Sequence, residues 1–340
     1  MSPAETADRT DLTGRHERVP HEQTQQNRRR NGRHLGPPVG SDHPLVRLRY
    51  CRVMFSPRAL DDDLSAVRDR HAPGSPVIDV DAEFETLPPA AAEDLGLFVD
   101  DLDPASSPTE WLPDDAPELL RQYAGPAFTI GLPGAGTVLR TTQTSPQAVL
   151  LKRRAEGTPD DFLAFLIADR LVQVGIEPAP GTVASPAASN DRLPETFLPF
   201  FGPRYADLDA AVRRPDGAPD ASSAFGPTDV FQVATALFDA WIGLYTRDVF
   251  ASWEGEFPRL FDAWTDAGER LEGRLADLPG EVARGETAFP SATEYACSAV
   301  RHGLDLPAPF AALDTAAYRD RGAAYAVKWA EKTFASMAEE

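Results

Sequence analysis

The stretch FQVATALFDAWIGLY, from Phe231 to Tyr245, decides the fold class. Phe231, Ala234, Phe238, Trp241 and Tyr245 recur at steps of three and four, the spacing that lines one face of an α-helix. Phe257, Leu260, Trp264, Gly268, Leu271, Leu275 and Leu278 repeat the pattern downstream. One apolar stripe per helix is what a helical bundle buries. Two more helices are predicted near 291–304 and 312–338, so residues 228–340 read as a bundle. The Trp and Phe stripes read as core rather than as a cofactor pocket.

Working towards the N-terminus, the segment Arg213 to Pro227 is rich in Pro, Asp, Ser and Gly and marks the predicted domain boundary. Residues 54–212 read as an α+β region. Helices are predicted over 58–72, 90–102 and 114–124, the first entered through Ser56 at the N-cap and Pro57 at the first helical position. Residues 77–84 alternate, with Asp79, Asp81 and Glu83 on one face and Ile78, Val80 and Phe84 on the other, the period of a half-buried strand. Residues 126–154 form the clearest β region. Phe128-Thr129-Ile130 leads into a glycine turn with Gly131, Gly134 and Gly136. Thr137 to Arg140 follows, and a second turn near Ser145-Pro146 precedes Ala148 to Leu151. This predicts a small antiparallel meander. A helix then starts at Thr158-Pro159-Asp160-Asp161, with Thr158 as cap and the aspartates at the positive end of the dipole. A Pro/Ala/Ser loop over 178–194 precedes the densest aromatic cluster, Phe197, Phe200, Phe201 and Tyr205. The expected fold is α+β and predominantly α-helical: a small antiparallel β-meander packed with helices, followed by a C-terminal helical bundle.

The 340 residues carry a formal charge of -20, with 32 Asp, 21 Glu, 30 Arg and three Lys (Lys152, Lys328, Lys332). Strong acidity with so little lysine points to adaptation to molar salt, where the screening length shrinks to about 3 Å and self-repulsion is damped. The competing reading is an ordinary acidic protein with a cationic partner. No cofactor is expected, and high salt with K⁺ is expected to be needed for stability. Two cysteines, Cys51 and Cys297, exclude a disulfide framework and a Cys-based zinc site. No apolar run reaches 18 residues and no signal segment follows Met1 or Met54, so no membrane association is expected and the location is read as cytoplasmic.

Residues 1–53 differ in character. They hold ten Arg against six acidic residues, whereas residues 54–340 hold 23 basic and 47 acidic ones. His16, His21, His34 and His43 also fall there. The expectation is a non-native or disordered basic extension, with the true start at Met54. A nucleic-acid partner is expected only if this arm is real.

The segments Pro159-Asp160-Asp161-Phe162-Leu163-Ala164-Phe165-Leu166 and Phe197-Leu198-Pro199-Phe200-Phe201-Gly202-Pro203-Arg204-Tyr205 resemble those of a family of uncharacterised haloarchaeal proteins. The resemblance extends over most of residues 54–340. It implies habitat and solubility rather than chemistry, because its motifs are hydrophobic and structural.

The candidate chemistry centres on residues 131–170. A glycine turn, a strand ending in Lys152 and a helix follow one another, an order that resembles the small lobe of protein kinases and aminoglycoside phosphotransferases. There a glycine loop covers phosphates and a strand lysine pairs with them. Lys152 would hold phosphate, Gly131, Gly134 and Gly136 would cover it, and Asp305 in His302-Gly303-Leu304-Asp305 would be the doubtful base. The departures are the glycine spacing, a helix offering Asp160, Asp161 and Asp169 but no glutamate, the absence of a metal-binding Asn or Asp-Phe-Gly, and only 35 residues after Asp305. The plainer reading is a hairpin with a lysine in solvent at its strand end. No P-loop is present, since neither Gly-Lys-Ser nor Gly-Lys-Thr occurs. Asp79 and Asp81 after Val77-Ile78 resemble the start of haloacid-dehalogenase-type phosphatases, but the βαβ alternation is missing. The row of acids otherwise reads as a solvated face, and Cys297 as a buried thiol.

These absences favour a non-catalytic interaction or scaffold protein with an unknown protein partner, bound through Phe197, Phe200, Phe201 and Tyr205. The alternative is a divergent kinase-like or aminoglycoside-phosphotransferase-like nucleotide-binding enzyme. A third reading is a regulator acting through the basic arm.

Overall fold

Short apolar runs and their pairing settle the sheet. The computed structural model describes residues 54–81, 103–104, 107–124, 136–141, 144–145, 147–176, 197–214 and 225–339. The predicted helix at 90–102, the first strand of the predicted meander, Gly131, Gly134 and the 178–194 loop all lie outside these residues. Strands β1 (Phe55–Pro57), β2 (Val77–Val80), β4 (Val138–Arg140) and β6 (Val149–Lys152) form one sheet in the order β1-β2-β6-β4. A separate two-stranded ladder joins β3 (Asp103–Pro104) to β5 (Thr144–Ser145).

The sheet is mixed rather than the antiparallel meander that the turns imply. β4 does pair antiparallel with β6, but β6 lies parallel to β2, with Val77 opposite Val149 and Val80 opposite Lys152. Parallel strands are covered on both faces and so read as continuous apolar runs. Ile78, Val149 and Leu150 are fully buried. At the other edge β1 pairs antiparallel with β2, so Ser56 and Pro57 extend a strand instead of opening a helix. The first helix, α1 (Asp62–His71), is capped by Asp61, whose carboxylate accepts the Leu64 N–H at 3.0 Å.

Helix α2 (Glu118–Ala124) is followed, after the sheet, by α3 (Asp160–Gly175). The N-cap of α3 is Pro159, with no side-chain cap, in place of the expected Thr158. Helix α3 packs closely on α1: a Cβ on Gly175 would overlap the His71 carbonyl oxygen. Helices α4 (Phe197–Phe201), α5 (Tyr205–Arg213), α6 (Pro227–Ala251), α7 (Pro258–Ala283) and α8 (Phe289–Val300) follow. The predicted 312–338 helix divides into α9 (Ala316–Arg321) and α10 (Ala323–Glu339) at Gly322, whose φ of 50° belongs to the left-handed region.

Two apolar clusters hold these elements. The larger gathers α4, α5, α6, α8 and α10 around Phe200, Phe201, Trp241, Tyr318 and Phe334. The smaller packs the sheet and α1 against α3, the end of α6 and the start of α7, around Phe165, Phe250 and Trp253. Residues from both sides of the Arg213–Pro227 segment enter each cluster, so that segment does not separate two cores. The stripes read in the sequence are core, and their polar tips are satisfied. Trp241 Nε1 and Tyr245 Oη donate to the Arg319 carbonyl at 3.0 and 3.2 Å, and Trp329 Nε1 donates to the Pro309 carbonyl at 3.0 Å.

Candidate functional site

In an open sheet, the carboxyl ends of parallel strands leave a crevice where ligands collect. β2 and β6 end side by side at Val80 and Lys152, and a cleft of about 400 Å³ opens there. β6 is placed by its backbone: the Lys152 N–H donates to the Thr137 carbonyl at 3.0 Å. The chain then turns through a 3₁₀ segment, Arg153–Gly157, into α3, so that Glu156, Thr158 and Asp160 form one wall. Ser56, within β1, and Arg58, just after it, also line the cleft. The inner lining is Val80, Leu151, Ala155 and Leu163, all buried, together with Lys152, which is only 1% exposed.

The ion pairs of the cleft are orderly. Arg58 donates to Asp79 at 2.7 Å, and Arg153 donates to Asp81 through Nε at 2.8 Å and Nη2 at 2.5 Å. Both pairs are substantially solvated. Asp79 and Asp81 are therefore guanidinium partners rather than members of a cation cluster. Among the described residues no group of three or more His, Cys, Asp or Glu is arranged to hold a metal ion.

The other sequence candidates fall elsewhere. Lys152 is inside the cleft, where the plain reading put it in solvent. Gly136 is exposed just before β4 and is not part of the cleft lining. Asp305 is exposed in the segment after α8, away from the described cleft lining. His302 is not a catalytic-loop residue in solvent. Its ring stacks on Trp264, with centroids 5.9 Å apart and an interplanar angle of 18°. Burial, assisted by the neighbouring Arg301 cation, pushes its pKa down to about 4. Phe197, Phe200, Phe201 and Tyr205 do not make a docking patch. They are 1%, 2%, 0% and 1% exposed, and Phe200 packs 4.7 Å from Trp241, ring centre to ring centre. Dense aromatic sequence is equally the signature of a core, and here the core takes it. Cys297 is a buried thiol.

Sequence reasoning missed two features. Arg58, Arg153 and Glu156 reach the cleft only through strand pairing that local periodicity does not encode. A buried polar junction joins α3 to the end of α8: Asp169, fully buried, accepts from Arg301 Nη1 at 2.9 Å and from Gln173 Nε2 at 2.9 and 3.0 Å. Only Asp169 on the apolar face of α3 signalled it.

A mostly helical α+β chain with a mixed sheet and a charged cleft at its parallel strand ends is the class that fold and site define. Residues 54–337 match a family of unknown function, DUF7089, and the chain belongs to that family. No curated protein and no solved structure matches it. Among the described residues no helix is long and apolar enough to cross a membrane.

Proposed function

We propose that the chain is a non-catalytic binding protein whose ligand is a small polar molecule held in the Lys152 cleft. One observation carries the reading: an ammonium at 1% exposure lines a cleft of about 400 Å³ between two parallel strand ends and a helix start. A volume of that order is within the range of small-ligand sites, and a lining in which nine of thirteen residues are polar or charged suits a polar ligand. This differs from a partner protein docking on the aromatic cluster, which presents no surface there. The medium we propose is a cytoplasm of molar salt, with K⁺ as counter-ion for the acidic chain.

The test is a calorimetric titration of small carboxylates, inorganic phosphate and Mg²⁺-ATP into the chain in about 3 M KCl, a concentration at which screening is nearly complete. A carboxylate or phosphate that binds the wild type and weakens at least tenfold with Lys152→Met supports the reading. Binding unchanged by that substitution removes it. The buried strand lysine also favours the nucleotide-binding enzyme as a second reading. Mg²⁺-ATP binding alone, lost in the same variant, would put that enzyme first.

A further inference from the structure

We infer that the ligand of this cleft is a polyhydroxylated small molecule, of the sugar or sugar-acid class, whose hydroxyl groups are bound by the Arg58–Asp79 and Arg153–Asp81 pairs. The inference rests on the cleft being a ligand site. The cations of its lining are engaged before any ligand arrives: Arg58 with Asp79, Arg153 with Asp81, and Lys152 too has a partner within the protein. What the two surface pairs still offer is hydrogen bonding. A guanidinium has more N–H donors, and a carboxylate more acceptor positions, than one such pair consumes.

Hydroxyl groups fit this arrangement better than the other common polar groups. A hydroxyl donates and accepts at one atom, so it bridges a guanidinium and a carboxylate that already face each other. A carboxylate only accepts and an ammonium only donates. The two pairs also stand side by side. Asp79 and Asp81 are two residues apart, and the Asp81 N–H donates to the Met54 carbonyl at 2.9 Å, which carries the β1–β2 pairing past Val80. Alternation along an extended chain puts both carboxylates on one face, and both line the cleft. A ligand with several hydroxyl groups meets both pairs at once. Exposed Glu156 and Asp160 add acceptors on the wall leading into α3. A hydrogen bond to a charged group is strong enough to change affinity roughly tenfold, and its short range leaves it little affected by salt that screens net charge.

The experiment titrates gluconate, hexanoate and sorbitol into the full chain in about 3 M KCl, where long-range attraction is screened. Gluconate and hexanoate share charge and chain length and differ in their hydroxyl groups. The expected result is binding of gluconate at least tenfold tighter than of hexanoate. In Arg58→Leu/Asp79→Leu, which removes both members of a solvated pair and leaves no lone charge, that advantage shrinks while hexanoate binds as before. Arg153→Leu/Asp81→Leu is the matching second variant. Equal binding of gluconate and hexanoate to the wild type overturns the inference, as does an advantage that survives in both variants. If in the first case Lys152→Met weakens both acids, the cleft remains a ligand site of another class. Sorbitol binding as tightly as gluconate, with neither affected by Lys152→Met, upholds the hydroxyl inference and removes the role of Lys152. No binding of any of the three overturns the inference and the reading beneath it together.

Discussion

Lys152 shows how much a single residue discloses and where that stops. Its rarity, one of three lysines in a chain that otherwise uses arginine, marked it in the sequence. Its burial did not show, because the strand that covers it, β2, lies some seventy residues upstream and pairs in parallel. His302 teaches the same lesson with the opposite outcome. The motif around it resembled a catalytic loop, yet Trp264 and Phe165 enclose the ring. Its titration gives a prediction. The folded chain holds His302 down at about 4, whereas the unfolded chain returns it to about 6.5. Between those values the unfolded state binds more protons, so the contribution is complete above pH 6.5 and is lost as pH falls towards 4. Lowering the pH from 7 to 5 should remove about 2 kcal/mol of unfolding free energy through this residue. His71, half-buried and also depressed, acts in the same direction. Denaturant unfolding at both pH values should show a shallower loss in His302→Phe, which retains the stacking ring. An unchanged slope would mean that His302 titrates normally in the folded protein.

At the scale of elements, helices were legible because each carries its own period, and sheet pairing was not. α6 and α7 announce themselves through stripes that one segment contains entirely. The β4–β6 pair follows from adjacency, but nothing local in Val77-Ile78 or Val149-Leu150 says that these runs lie side by side in parallel. The contact of α3 with α8 is of the same non-local kind. Arg301, at the C-cap of α8, has a side chain only 12% exposed, and Asp169 is its charged anchor. Asp169→Asn removes the carboxylate hydrogen-bonded to that guanidinium and leaves it only the attraction of Asp239, and removing one partner of a buried pair typically costs about 3–5 kcal/mol. Chemical denaturation should report a loss of that size with an unchanged dependence on denaturant concentration. A loss below about 1 kcal/mol would show that Arg301 reaches water in the folded state.

At the scale of the molecule, the two clusters share α6, so sheet, cleft and bundle are expected to unfold together. The charge of residues 54–340 acts on this whole. Surface pairs such as Arg70–Glu256 and Arg259–Asp61 are solvated, so the attraction that salt screens in them is small. The excess of acidic residues repels throughout and is relieved as the screening length falls from about 8 Å to below about 3 Å. Relief of repulsion is therefore expected to win, raising the unfolding temperature by several degrees between 0.15 and about 3 M KCl. A lower unfolding temperature in 3 M KCl would instead mark the ordinary acidic protein with a cationic partner. The central claim, that a ligand sits against Lys152, is read from the same transition. Wild type and Lys152→Met are to be melted with and without gluconate, hexanoate and phosphate. Ligand at 100 times its dissociation constant adds about 2.7 kcal/mol to stability. The account predicts that at least one of these anions raises the wild-type transition by several degrees and leaves the variant unmoved. Equal shifts in both proteins, or none in the wild type at saturating concentrations of all three, would contradict it.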